Sequence, residues 1–227
     1  MLIAIHQPNY LPWLGYFHKI ARADCFVFLE QVQYSRGSYS NRVRILDNGR
    51  PCWLTQPVRH SFGQAIGEVA FADNAWPDKH LSHLRNAYGD SSAFAEIWPE
   101  LADIYRTMPA ESLATANRHL VTALSGRLDL KTEFATDGEL GVDALVGDDR
   151  LIALLSACGD DVSYLSGSGG RNYQNKDKFV HADISLVFAG YDGPAYEQGT
   201  DKFVAGLSVV DALFHLGWGE TARLVLT

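Results

Sequence analysis

Short apolar runs bounded by polar turns alternate along this chain with segments in which apolar residues recur every three to four positions. The first run, Leu2-Ile3-Ala4-Ile5, has the β-branched, uninterrupted character of a strand covered on both faces. A helix is expected from about Pro12 to Ala23, because proline suits a first helical turn and Leu11, Leu14, Phe17, Ile20 and Ala21 then share one face. His18, Lys19 and Arg22 are expected to point elsewhere. Asp24 ends the helix, and Cys25 to Leu29 supplies a second strand. Strand, helix and strand make a right-handed parallel βαβ unit.

Val43 to Leu46 and Cys52 to Thr55 flank Asp47-Asn48-Gly49, and Asn-Gly between strands predicts a tight hairpin, since both central residues must take positive φ. Ile66 to Phe71 reads as a further strand. From Trp76 the period becomes helical: Trp76, His80, Leu84 and Tyr88 form a stripe, followed by helices at about 92–108 and 112–128. Strands resume at 132–136, 162–165 and 184–188, with a Gly- and Asp-rich loop and then a helix from about Asp148 to Cys158 after the first of these. Ser208 to Gly217 reads as a capped helix with a glycine stop, Asp211 standing where a capping-box partner would. The order predicts an α/β fold, a Rossmann-like and mostly parallel sheet with a β-hairpin and a helical insertion at about 76–128, in a single domain over residues 1–227.

Composition narrows the function classes. The 227 residues carry a formal net charge of −8, which argues against nucleic acid as partner. Arg36, Arg42, Arg44 and Arg50 form a local basic cluster against that background. No run of about 18 apolar residues and no basic-then-apolar leader is present, so no membrane insertion and a cytoplasmic location are expected. Cys25, Cys52 and Cys158 are odd in number and far apart in sequence, giving neither a disulfide framework nor a CxxC metal spacing. His80 and His83 have a ligating i, i+3 spacing but no third ligand at suitable spacing nearby, so no metal is expected.

In a parallel sheet, ligands bind beyond the carboxyl ends of the strands. That rule gathers the candidate chemistry at one rim. His6, Gln7, Asn9 and Tyr10 follow the first strand; Gln33, Tyr34, Arg36, Asn41 and Arg42 follow the second; Ser166, Gly167, Gly169, Gly170 and Arg171 follow the strand at 162–165. Gly15 and Tyr16 open the first helix, whose free N–H groups favour an anion. His6 is the candidate general acid or base, with Tyr10 beside it as the second catalytic candidate, while Gln7 and Asn9 orient the substrate. Arg36 and Arg42 would grip an anion with Asn41 and Tyr34 orienting a sugar or base; scattered arginines on a solvated hairpin are the alternative. The glycine loop would cradle phosphate with Arg171 nearby, or serve as a plain connector. It matches neither the P-loop nor the Rossmann fingerprint, so no cofactor is assigned. His80 would reach the rim as an acid, base or phosphate contact, or else sit at the core edge bonded to backbone.

The sequence IHQPNYLPWLGYFHKIARADCFVFLEQVQYSRGSYSNR, with WLTQPV, WPDKHLSHLRNAYG, YLSGSGGRNY and GLSVVDALFHLG further on, resembles the WbqC-like family, bacterial proteins often associated with surface-polysaccharide gene clusters. The resemblance implies acyl or aminoacyl transfer to an amino sugar during O-antigen or lipopolysaccharide assembly. The opening is also similar to the nucleotidylyltransferase layout, but Trp13 and Tyr16 stand where that family's His-x-Gly-His signature has histidines. A rim rich in His, Gln, Asn, Tyr and Arg and poor in carboxylates suits a negatively charged, polyhydroxylated ligand such as a nucleotide sugar. The expectation is a transferase taking a small activated donor and an amino-sugar acceptor. A non-catalytic binding protein and a nucleotidyltransferase are the alternatives, and a homo-oligomer stays open.

Overall fold

The computed structural model describes residues 1–142 and 145–227; Asp143 and Ala144, in the expected Gly- and Asp-rich loop, lie outside the described residues. The chain runs β1 (Leu2–His6), α1 (Leu14–Arg22), β2 (Cys25–Phe28), β3 (Arg42–Asp47), β4 (Arg50–Thr55), β5 (Val58–Arg59), β6 (Ala70–Phe71), α2 (Trp76–Tyr88), α3 (Phe94–Arg106), α4 (Leu113–Arg127), β7 (Glu133–Thr136), α5 (Gly147–Cys158), β8 (Ser163–Ser166), α6 (Lys176–His181), β9 (Ser185–Phe188) and α7 (Val209–Leu226).

Five strands form one all-parallel sheet in the order β7-β2-β1-β8-β9. Counted within the sheet this is 3-2-1-4-5, the Rossmann order, so the direction of winding reverses between β1 and β8. Successive side chains of β1 enter opposite layers. Ile3 and Ile5 pack with Val27, Leu154, Leu155 and Phe179 on the α5–α6 side, while Ala4 packs with Phe17, Ile20, Phe26 and Phe214 on the α1–α7 side. Each large apolar side chain buried this way is worth roughly 1.5–3 kcal/mol.

The first helix starts after its expected point because Leu11 takes φ +38° and the Leu11–Trp13 segment is pinned instead by the start of α7: Ser208 Oγ donates to the Leu11 carbonyl (2.7 Å) and the Val209 N–H to that of Pro12 (2.9 Å). α7 also covers the flank of α1, and here the sequence expectation is corrected. His18 and Lys19 are both buried: His18 lies under α7, its Nδ1 2.8 Å from the Val225 carbonyl, and Lys19 turns to the sheet, its Nζ donating to the Ile5 carbonyl. The hairpin is as expected, with Asn48 at φ +49° and Gly49 at φ +71° and six cross-strand pairs. Ile66 to Phe71 is not one strand: it is a 3-10 turn over Ile66–Glu68 followed by two-residue β6, paired antiparallel with β5. The stripe of Trp76, His80, Leu84 and Tyr88 is the buried face of α2. Gly217 does not end α7 but kinks it, at φ 78° and ψ 177°, and helix continues to Leu226. A Cβ there would come 2.7 Å from the Glu96 carboxylate, whose oxygen accepts the Trp218 N–H.

Asp211 is fully buried and serves no capping box. Its carboxylate accepts hydroxyl bonds from Tyr88 (3.0 Å) and Tyr196 (2.7 Å) and an amide bond from Gln198 (2.9 Å). It thereby anchors to the core the irregular strap 190–207, which forms one wall of the site described next.

Candidate functional site

His6 ends β1 at the reversal point and stands between two hollows. One, of about 190 Å³, lies between the start of α1 and the β8 loop and is lined by Trp13, Gly15, Tyr16, Lys19, Gly167–Gly169, Ala189 and Tyr191. The other, of about 560 Å³, lies toward the opposite layer and meets Gln7, Leu29, Arg150, Tyr164 and Tyr173. An aromatic hollow of about 340 Å³ shares Trp13 and Tyr191 with the first and is completed by Tyr196 and Phe203 of the strap. The crevice has therefore a polar floor and an aromatic extension, the walls that a sugar or base ring requires.

The ring of His6 is fixed from two sides. Its Nδ1 lies 3.0 Å from the Gln7 carbonyl, and the Tyr16 ring meets it edge-on at 4.9 Å. Since a carbonyl only accepts, Nδ1 carries the proton and Nε2 keeps its lone pair. Burial, reinforced by the nearby Lys19 ammonium, lowers the pKa of His6 to about 4. The imidazole is thus neutral at pH 7. Tyr16 is itself oriented by its hydroxyl bond to the Gln7 carbonyl (2.9 Å).

Lys19 is the residue that the one-sided reading of α1 missed. It is 4 % exposed, and its Nζ donates to the Ile5 carbonyl at 2.8 Å, beneath His6. Desolvation lowers its pKa to about 7, so near neutrality it is poised between ammonium and amine. Its position was legible: Gly15 and Lys19 are one turn apart, so whatever approaches the helix at Gly15 approaches Lys19. Because the unfolded chain holds this proton up to the ordinary lysine value while the folded chain releases it near pH 7, folding stability rises with pH between those values. From pH 7 to pH 9, below tyrosine ionisation, the gain attributable to Lys19 is expected to be roughly 1–3 kcal/mol. Urea melts of wild type and Lys19→Met at the two pH values measure it, and the variant should lack that increment.

Gly15 earns its place by close approach: a Cβ there would lie 2.2 Å from the Trp13 indole. Trp13 is 40 % exposed and can swing aside, so Gly15→Ala is expected to leave the melting temperature within a few degrees of wild type while lowering affinity for any crevice ligand. Parallel melting and ligand-titration measurements separate the two effects.

The glycine loop forms a 3-10 turn at Ser168–Asn172, and Gly167, Gly169 and Gly170 all have negative or extended φ, so positive φ is not why they are glycines. Gly167 and Gly169 face open space in the small hollow; Gly170 is needed because a Cβ would meet Ser166 Oγ at 2.2 Å and Gln174 Oε1 at 2.5 Å. Ser166 is buried, and Arg171 lies with its guanidinium 4.6 Å from the Phe188 ring centroid, outside the hollows beside His6.

Other expected rim residues are placed elsewhere. Tyr10 is fully buried: its hydroxyl meets His80 Nδ1 at 2.6 Å and also the Tyr105 hydroxyl, while His80 Nε2 lies 3.1 Å from the Thr55 carbonyl. These groups satisfy one another in the core, and burial lowers the pKa of His80 to about 4. Asn9 is buried as well. Asn41 is buried against the Gln56 carbonyl, to which its amide donates at 3.1 Å. Arg42 stacks on Trp53 at 4.2 Å, Tyr34 is buried beside the His60 ring, and Gln33 and Arg36 are exposed. None of these lines the two hollows beside His6, because the chain turns away after β2 to build the hairpin layer. Arg150, unforeseen, does reach the larger hollow, with its charge paired to Asp137 at 2.9 Å.

The fold is a doubly wound α/β sheet with a neutral histidine, a buried lysine and a glycine loop at its reversal point, where sheets of this kind form a crevice beyond their strand ends. The chain belongs to the WbqC-like protein family, whose model matches residues 7–223. It is 32% identical over 220 residues to the uncharacterized protein Rv1507c of Mycobacterium tuberculosis (strain ATCC 25618 / H37Rv), a match covering 95% of this chain and 94% of that protein. Among the described residues no helix is long and apolar enough to cross a membrane.

Proposed function

We propose that the protein is a transferase that brings a small activated donor and an amino-sugar acceptor together in the crevice at His6, moving an acyl or aminoacyl group in bacterial surface-polysaccharide assembly. The observation that carries this reading is the pairing of His6 and Lys19. A neutral imidazole with its Nε2 free accepts the proton that an attacking amine or hydroxyl must lose, and a lysine balanced near neutrality supplies positive charge toward an oxyanion or phosphate. Gln7 and Tyr16 fix the base, the glycine loop lets a ligand approach backbone, and the Trp13, Tyr191, Tyr196 and Phe203 hollow receives a ring. Few carboxylates stand at the crevice to hold magnesium, which ranks nucleotidyl transfer lower.

A second reading, a binding protein with the same pocket, is favoured by one feature: an imidazole with a pKa near 4 is a weak base and a good hydrogen-bond partner. Incubating the protein with nucleotide-linked amino sugars and acyl-coenzyme A or aminoacyl donors, with product read by mass spectrometry, separates the two. Acylated sugar formed in proportion to enzyme supports transfer. Saturable sugar binding without product under every donor supports the binding protein, and neither binding nor product contradicts both.

A further inference from the structure

We propose that Asp47, Cys52 and His83 form a site for a divalent transition-metal ion, zinc above all, where the β3–β4 hairpin meets α2. The site lies apart from the His6 crevice and does not depend on how that crevice is used.

The three residues come from three elements. Asp47 closes β3, opposite Arg50, and Cys52 lies on β4 opposite Ile45, so Asp47 and Cys52 are diagonal neighbours on one face of the hairpin. α2 packs there. Its His80 points inward to Tyr10, and one turn on His83 turns to the hairpin. His83 Nε2 lies 3.1 Å from Asp47 Oδ2 and 4.0 Å from Cys52 Sγ, and one ligand atom from each residue falls within 4.8 Å of the others. Zinc bonds of about 2.0–2.3 Å at tetrahedral angles put donor atoms roughly 3.3–3.6 Å apart, so shifts of a few tenths of an ångström at His83 and a rotation at Cys52 complete the geometry.

Two features favour a cation over other uses of the same residues. In a nucleophilic cysteine triad the thiol and carboxylate take opposite nitrogens of the imidazole; here both face Nε2, as ligands converging on a shared centre do. The donor set of one sulfur, one nitrogen and one oxygen is the borderline set that zinc accepts, and the thiolate and carboxylate balance its two charges. On binding, the Cys52 thiol gives its proton to solvent and no other covalent bond changes. Asp47 Oδ1 accepts an amide bond from Asn48 (2.9 Å), an outer contact that fixes the carboxylate. Arg50 is exposed and forms no ion pair with Asp47 among the described residues, so it does not occupy the site. All three ligands are half-buried, which leaves a fourth position for water or an incoming donor.

The test is a Co²⁺ titration of the full-length, chelator-stripped, reduced protein, followed by absorption. One equivalent should bind with a thiolate-to-cobalt charge-transfer band and the visible bands of tetrahedral cobalt, and Zn²⁺ should displace it. The band should vanish in Cys52→Ser and persist in the Cys25→Ser/Cys158→Ser double variant. His83→Gln should weaken binding by more than the roughly 10- to 100-fold that loss of an outer-shell contact costs. Absence of the band in wild type overturns the proposal whatever the variants do. So does a band that survives Cys52→Ser or is lost with Cys25 and Cys158.

Discussion

Asp137→Ala is expected to cost about 3–5 kcal/mol of folding stability, the cost of leaving a buried charge without its partner. Asp137 has no exposed surface, and its carboxylate accepts from Arg150 (2.9 Å) and from the Glu30 and Gln31 backbone N–H groups at 2.9 and 3.0 Å. Removing it orphans a guanidinium that is itself almost wholly buried and two peptide groups at the exit of β2. For a domain whose total stability is roughly 5–15 kcal/mol, this is a large fraction of what holds the chain folded. Asp137→Asn keeps an acceptor and should lose less. Urea melts of the two variants against wild type give the comparison, and equal, small losses for both would show that the pair contributes little. The consequence reaches the crevice, because Leu29 and Val32 on either side of the bonded peptides line its larger hollow and Arg150 forms part of the wall.

On the proposed transferase reading, His6→Ala is expected to lower turnover by ~10² to 10⁴, the usual contribution of a positioned acid or base, with circular dichroism close to wild type because the imidazole lines the crevice and its one hydrogen bond is to the carbonyl of its neighbour Gln7. The pH profile carries a second signature. With the His6 pKa near 4, the imidazole stays unprotonated through pH 6, so activity should fall only as the pH drops toward 4, well below the ordinary histidine range. An acid limb centred near 6.5 would mean that His6 is more solvated in solution than its surroundings here dictate, or that another histidine titrates.

What the sequence disclosed follows from the range over which each feature is encoded. β1, α1, β2 and the Asn48-Gly49 hairpin are local patterns, and each forms within a residue or two of where periodicity and turn chemistry put it. The α2 stripe was legible for the same reason. The polar character of residues 6–10 was legible too, but residue type does not reveal burial. His6 reaches the crevice, whereas Tyr10, four positions on, finds His80 and Tyr105 in the core. Periodicity gives α1 one apolar face and sends Lys19 outward, whereas its ammonium is drawn to the Ile5 carbonyl between β1 and the β8 loop, a long-range contact that the helical pattern does not encode. The strand order, which puts His6 and Gly167 side by side, is a long-range property with no trace in either pattern. The Asp47, Cys52 and His83 cluster escaped for a like reason: its members meet across a hairpin and onto a helix, so their sequence spacings resemble no ligand motif.

The central claim is that the crevice at the end of β1 holds the ligand. A thermal-shift panel of nucleoside phosphates, nucleotide sugars and acyl-coenzyme A thioesters, run on wild type, His6→Ala, Gly15→Ala and Arg42→Ala, tests it most directly. A ligand at about 100 times its dissociation constant stabilises the folded state by roughly 2.7 kcal/mol, a shift of several degrees. The account predicts that at least one class raises the wild-type transition, that His6→Ala and Gly15→Ala blunt the shift, and that Arg42→Ala leaves it intact. A shift that survives in His6→Ala and Gly15→Ala but is lost in Arg42→Ala would place the ligand on the hairpin layer and contradict the account.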